Sequence, residues 1–225
     1  MAKIHGVAGE WARVKGAILG LWPLGLGLFA AGFSLSAWIV AGHGWGSLAL
    51  AASFALIAWS LVHGARRVES FYIGARGEER VSSILRGLPD CYHVFNDFVA
   101  MGVHVDHVVV GPAGVFAIET KFWRGTVTVD DGHILVDGQL PTRPPLRQVL
   151  HEASLVKATL AKAGWTGDVT PMLTFASDTF RPNVAGVQGA VVLNSCDLAK
   201  SFAAERSVLS GAELERLVSL MEARA

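Results

Sequence analysis

The chain has 225 residues, 19 basic and 19 acidic side chains, no formal net charge and an apolar share of 52%. A neutral chain has no strongly basic face, which excludes recognition of a polyanion by bulk charge alone. Two isolated cysteines, Cys91 and Cys196, match no metal or redox spacing and fit reduced thiols in a cytosolic setting.

No Asp, Glu, Lys or Arg occurs from Gly16 to Ala65, a run of 50 residues. That length is a membrane signal, and Ala41-Gly42-His43-Gly44-Trp45-Gly46 divides it into spans of about 16–40 and 47–63, each near the ~20 residues a bilayer requires. A cleaved signal peptide has one short apolar region, whereas this run is long and doubled. Arg13 and Lys15 precede it, Arg66 and Arg67 follow it, and the turn has no basic residue. The positive-inside rule therefore puts the N-terminus and everything after Arg67 in the cytoplasm of a multi-pass protein of the cytoplasmic (inner) membrane. Gly16 and Gly20 have the small-xxx-small spacing that permits a homo-oligomer. Pro23 is a site for a bend. Two spans without an internal charge offer no transport pathway.

The expected organisation is an N-terminal tail with a transmembrane hairpin over 1–67 and a cytosolic domain over 68–225. From Arg66 onward the chain carries 16 basic against 18 acidic residues. A helix begins near Ala75, with Val81, Ile84, Leu85 and Leu88 as its apolar stripe and Pro89 ending the run. Glu78 lies on the flank of this stripe and Glu79 points to solvent. A strand follows over Tyr92–Phe98, then strands Val103–Val110 and Val115–Phe122 around the turn Gly111-Pro112-Ala113-Gly114. A small β pair spans Thr126–Val129 and Ile134–Val136. A loop rich in proline leads to a helix over Leu146–Ala163, with Gln148 in its first turn. Strands Val169–Phe175 and Val187–Leu193, a short helix and a last helix opened by the Ser210/Glu213 capping box complete an α/β chain with a mixed sheet.

The central hairpin carries the chemistry. With Val110 opposite Val115, Asp106 falls opposite Glu119 with Cβ atoms roughly 5 Å apart, and Lys121 shares the face of Glu119. Facing like charges destabilise a sheet, and a divalent cation between the carboxylates, with an ammonium alongside, is a common use of such a pair. A solvated ion-pair ladder is the bland reading of the same residues. His104 shares the face of Asp106 by alternation and His107 does not, so the pattern disfavours a zinc site. Gly111-Pro112-Ala113-Gly114 lacks the lysine and serine of a phosphate loop, and Trp123 reads as packing. Asp130, Asp131 and Asp137 read as hairpin tips.

Four motifs occur in order over about 75 residues: Gly74-Ala75-Arg76-Gly77-Glu78, Asp106-His107-Val108-Val109-Val110-Gly111-Pro112 with Gly114-Val115-Phe116, Glu119-Thr120-Lys121, and Pro145-Leu146-Arg147-Gln148. In these the cytosolic part, with its motif-bearing core at 74–163, resembles the nuclease-related domain (NERD) family of the PD-(D/E)xK superfamily. The resemblance implies a restriction-endonuclease-like mixed sheet flanked by helices. It also implies an endonuclease-like hydrolase acting on phosphodiester bonds, with nucleic acid as partner, DNA ahead of RNA. By the same resemblance Asp106, Glu119 and the carbonyl of Thr120 would ligate Mg²⁺ or Mn²⁺, Lys121 would polarise or deprotonate the attacking water, Glu78 would approach from the first helix, and Gln148 would orient Lys121 or the phosphate. The alternative is a catalytically inactive module that binds nucleic acid or scaffolds a protein at the cytoplasmic membrane face, a reading favoured by the neutral charge.

Overall fold

In the computed structural model the described residues are 1–41, 43–181, 183–204 and 207–224. The chain divides into two compact units: Trp11–Ala75, and Met1–Glu10 together with Arg76–Ala225.

The first unit consists of α1 (Glu10–Ala41) and most of α2 (His43–Arg86). Glycines bring the two helices into backbone contact: a Cβ on Gly64 would lie 2.4 Å from the carbonyl oxygen of Gly20, and one on Gly16 would lie 2.5 Å from the Cβ of Phe71. The small-xxx-small pair is thus used within the chain. Buried Ser53 and Ser60 return their hydroxyls to the carbonyls of Ala49 and Leu56, which satisfies both within their own helix. Leu21, Trp22, Phe29, Phe33 and Phe54 point outward. Both helices are long and apolar enough to cross a membrane, and only 22% and 17% of their most apolar windows are buried, unlike the core helix of a soluble domain. The second apolar span and the expected helix from Ala75 form one element, α2, without a break. Isolated glycines cost roughly 1 kcal/mol each in a helix, and without a proline nothing between Gly64 and Gly77 stops it.

The second unit is mixed α/β. Its sheet comprises β1 (Lys3–His5), β2 (His93–Ala100), β3 (Val103–Gly111), β4 (Gly114–Lys121), β7 (Val169–Phe175), β8 (Val184–Val187) and β9 (Ala190–Asn194), in the order β1-β2-β3-β4-β7-β9-β8. Strands β5 (Val127–Asp130) and β6 (His133–Val136) form a separate hairpin. The pairs β1/β2, β4/β7 and β7/β9 are parallel, and the others are antiparallel. Helix α3 (Pro145–Ala161) makes the crossover between parallel β4 and β7.

Alternation along β4 assigns the layers. Val115 and Ala117 join Val156 and Leu160 of α3 and Leu217 and Met221 of α5 (Gly211–Glu222). Phe116 and Ile118 join Val81 and Leu85 of α2 and Leu198 and Phe202 of α4 (Ser195–Ala204). A third cluster packs Phe175 and Val192 against Leu146, Val149 and Phe180. The Ser210/Glu213 capping box forms as expected at α5.

Two strands differ from expectation. The N-terminal residues read as a tail include β1, whose three residues pair with His93–Phe95, too short a segment to show a period. The expected strand Val187–Leu193 is a hairpin, β8 and β9, turning at Gln188-Gly189, both with positive φ.

Candidate functional site

The β3–β4 ladder runs from Gly111↔Gly114 through Val110↔Val115 to His107↔Ile118 and ends there. One residue further, the Thr120 N–H donates to Asp106 Oδ2 at 2.7 Å, so a carboxylate takes the place of a backbone partner. The strands part at this point. An irregularity in β2 accompanies the parting: Asp97, between the paired residues Asn96↔His107 and Phe98↔Val105, has φ of 50°. Phe95 and Phe98 enter the same core cluster, as do Val105 and Val108, although each pair is three residues apart. Both strands therefore lose the period-2 alternation at Asp97 and Asp106. The face count that linked His104 to Asp106 does not carry across this break.

Groups from both helical layers converge on the parted strands. Glu119 is buried, and its carboxylate forms an ion pair with Lys121, two residues along the same face. Lys121 Nζ also donates to Gln148 Oε1 at 2.9 Å, and Gln148 Nε2 donates to Glu152 Oε1 at 2.9 Å. Glu152, buried on α3, lies near enough to Glu119 for that charge to act on it. From the other layer comes buried Glu78, which accepts a hydrogen bond from the Gly9 backbone. Gly77 lets α2 pass close to β4, since a Cβ there would meet the Cβ of Phe122 at 3.0 Å.

Charge dominates the site. Burial, then Asp97 and Glu119, raise the Glu78 pKa to about 7. Burial, then Glu119, raise that of Glu152 to about 9. Asp106, half-buried, is also pushed well above the ordinary carboxylate range, by desolvation and then by Glu119 and Glu78. Burial works against the Lys121 cation, but Glu119, Asp106 and Glu152 outweigh it and hold its pKa above the ordinary lysine range. Four carboxyl groups, Glu78, Asp106, Glu119 and Glu152, thus act on one ammonium. The arrangement calls for further positive charge, as protons or as a cation.

The structure brings together Glu78, Asp106, Glu119, Lys121 and Gln148, with Thr120 held by Asp106 through its N–H. The Thr120 side chain lies on the α2 side, where buried Oγ1 has no hydrogen-bond partner among the described residues. Asp97 and Glu152 were not singled out from the sequence. Glu152 could have been found as the residue one turn after Gln148. Asp97 could have been found by pairing β2 with β3 about Met101-Gly102, which sets Asp97 across from Asp106.

A mixed sheet with an acid and a Glu-x-Lys on parting central strands, backed by a glutamate and a glutamine from two helices, defines a nuclease-like α/β domain. Comparison with family models names the branch: residues 73–176 match the nuclease-related domain, NERD. This stretch of the chain is a nuclease-related domain, and it contains all of the acids, Lys121 and Gln148. No curated protein and no solved structure matches the chain.

Proposed function

We propose that the chain is a membrane-anchored, metal-dependent nuclease whose domain, over 68–225, faces the cytoplasm and hydrolyses phosphodiester bonds, in DNA in preference to RNA. The observation that carries the reading is the excess of buried carboxylate at the parted ends of β3 and β4. Buried Glu119 Oε2 has no hydrogen-bond donor among the described residues, and the donor set is all oxygen, which suits Mg²⁺ or Mn²⁺. Asp106, Glu119 and the Thr120 carbonyl would hold the ion, with Glu78 acting through water. When bound, the ion would neutralise phosphate charge and lower the pKa of water.

The protein's own groups do the positioning. Lys121, held as a cation, would donate to the attacking water and to phosphate oxygens as charge develops; its raised proton affinity supports this over a role as base. Gln148 fixes the ammonium from α3, and Glu152 fixes Gln148 in turn. Exposed Arg143 and Arg147, at the entrance to α3, are placed to meet a phosphate backbone.

The full chain in detergent micelles should nick supercoiled plasmid with Mn²⁺ and lose this activity on Asp106→Ala. Equal cleavage by the variant would refute the assignment. An inactive binding or scaffold module would show no calorimetric Mn²⁺ or Mg²⁺ binding that disappears on Glu119→Ala. Matched DNA and RNA duplexes test the polymer preference. Cys91 and Cys196 are exposed free thiols, so a membrane-impermeant maleimide should label them in lysed but not intact cells if the domain is cytoplasmic.

A further inference from the structure

Far from the parted strands, at the β1 edge of the sheet, three metal-capable side chains meet on the face covered by α5. One nitrogen from His5, one from His93 and one carboxylate oxygen from Glu222 all lie within 4.8 Å of one another. They come from the first strand, the second strand and the last helix of the unit. His5 Nε2 stands 3.1 Å from His93 Nδ1, and His5 Nδ1 stands 3.7 Å from Glu222 Oε1. Two ligands on one tetrahedral zinc lie roughly 3 to 3.5 Å apart, given Zn–N distances of about 2.0–2.1 Å. The two contacts use different nitrogens of the His5 ring, so one ion would take a single His5 nitrogen with His93, and the Glu222 side chain, 49% exposed, would swing to join them from within 4.8 Å.

The rings are already fixed. His5 stacks on buried Phe95 at 4.4 Å between centroids and lies nearly parallel to His93 at 5.3 Å. The parallel register of β1 on β2 sets this geometry, with His5 beside Phe95 and Lys3 beside His93. Two imidazoles and a carboxylate form a donor set of borderline softness, suited to zinc or its neighbours rather than to Mg²⁺. None of these residues belongs to the acidic cluster, so the two sites would select different ions.

We propose that His5, His93 and Glu222 form a second metal site, a three-ligand site for zinc or a similar transition-metal ion that fastens the first strand to the last helix. A fourth position would be left to water, as three protein ligands allow. The ion would join the two ends of the unit, an edge strand of three residues and a helix that otherwise rests on apolar contacts.

The test uses the full chain in detergent, stripped with chelator, with Zn²⁺ titrated against a chromophoric competitor and Co²⁺ as a spectroscopic probe. The expected result is one Zn²⁺ per chain with a Kd below about 1 μM, and visible Co²⁺ bands of a low-coordinate site. His93→Ala and His5→Ala should each weaken Zn²⁺ by at least about tenfold, and Glu222→Gln by a smaller factor. Glu119→Ala should leave this binding unchanged. Because a histidine variant could fail to fold, Glu222→Gln, at an exposed helix end, serves as the control, with circular dichroism reporting its helix content. Zn²⁺ binding that survives both histidine changes, or that is lost with Glu119, would overturn the proposal. So would an affinity weaker than that stated, which would leave His5 and His93 as a hydrogen-bonded pair without an ion.

Discussion

Near its turn the β3–β4 hairpin pairs Val110 with Val115 and Val109 with Phe116, all buried and apolar; at its far end the ladder stops after His107↔Ile118 and acids replace the valines. The same two strands thus contain a half that follows every rule of a sheet and a half that breaks several. In the paired half, alternation feeds two cores and each backbone group has its ladder partner. In the parted half, Asp97 takes a left-handed backbone, a side chain caps a strand N–H, and carboxyl groups crowd a buried space. Local rules broken together in one place mark where stability has been given up for chemistry. If so, changes in the two halves should separate stability from activity.

The largest effect is expected from Lys121→Ala, which should lower the rate of plasmid cleavage with Mn²⁺ by roughly 10²- to 10⁴-fold, the scale for losing a positioned charge at a phosphoryl centre. Thermal melting should show a folded protein, since the removed ammonium leaves carboxyl groups that can take up protons. Retained cleavage would show that the parted half is not the reaction centre. The converse change is Ile118→Ala, in the last ladder pair. Ile118 is fully buried among residues of α2 and α4, and its truncation should cost roughly 2–4 kcal/mol in denaturant unfolding. Cleavage per folded molecule should stay within a few-fold of the parent.

A smaller effect is expected from pH. Glu152 and Glu78 have folded values of about 9 and about 7, both above the unfolded value of 4.5. Between 4.5 and those values the folded state holds more protons than the unfolded, so metal-free stability should fall as pH rises from about 5 to about 9. Glu152→Gln should flatten the upper part of that decline and raise stability at pH 9 by roughly 1–3 kcal/mol. Saturating Mn²⁺ should offset the decline in the parent by supplying the missing charge. A parent whose metal-free stability is level from pH 5 to 9 would show that these carboxyl groups are not confined as described.

The two halves also differ in how far they can be read without coordinates. Counting outward from the Gly111–Gly114 turn gives the register that sets Asp106 against Glu119, and period-2 alternation places Lys121 beside Glu119, because a hairpin is local in sequence. The motif run from Gly74 to Gln148 likewise points to the family matched over 73–176 and to most of the candidate site. Glu152 escapes because an acid one turn past Gln148 on an amphipathic helix looks solvated until the facing strand is known. Asp97 escapes because its importance lies in a break of alternation, and alternation was the tool for reading it. The joining of the second apolar span to the domain helix escapes because the charge-free run marks the end of the span and the apolar stripe marks the start of the helix, although nothing between them stops a helix. In each case the missing information is a partner distant in sequence.

The smallest expected effect tests whether polar crowding extends to the opposite face of the same strand ends. Thr120 and Thr174 are register partners across β4 and β7, both are buried, and neither Oγ1 has a hydrogen-bond partner among the described residues. A buried hydroxyl without a partner costs on the order of 1 kcal/mol or more, and valine keeps the shape of threonine without that oxygen. Thr174→Val should therefore raise stability by roughly 0.5–1.5 kcal/mol in denaturant unfolding and leave cleavage unchanged, because β7 is one strand removed from the acids. A loss of stability would show that Thr174 holds a water or a backbone group in place, and that the strain of the parted half reaches into β7.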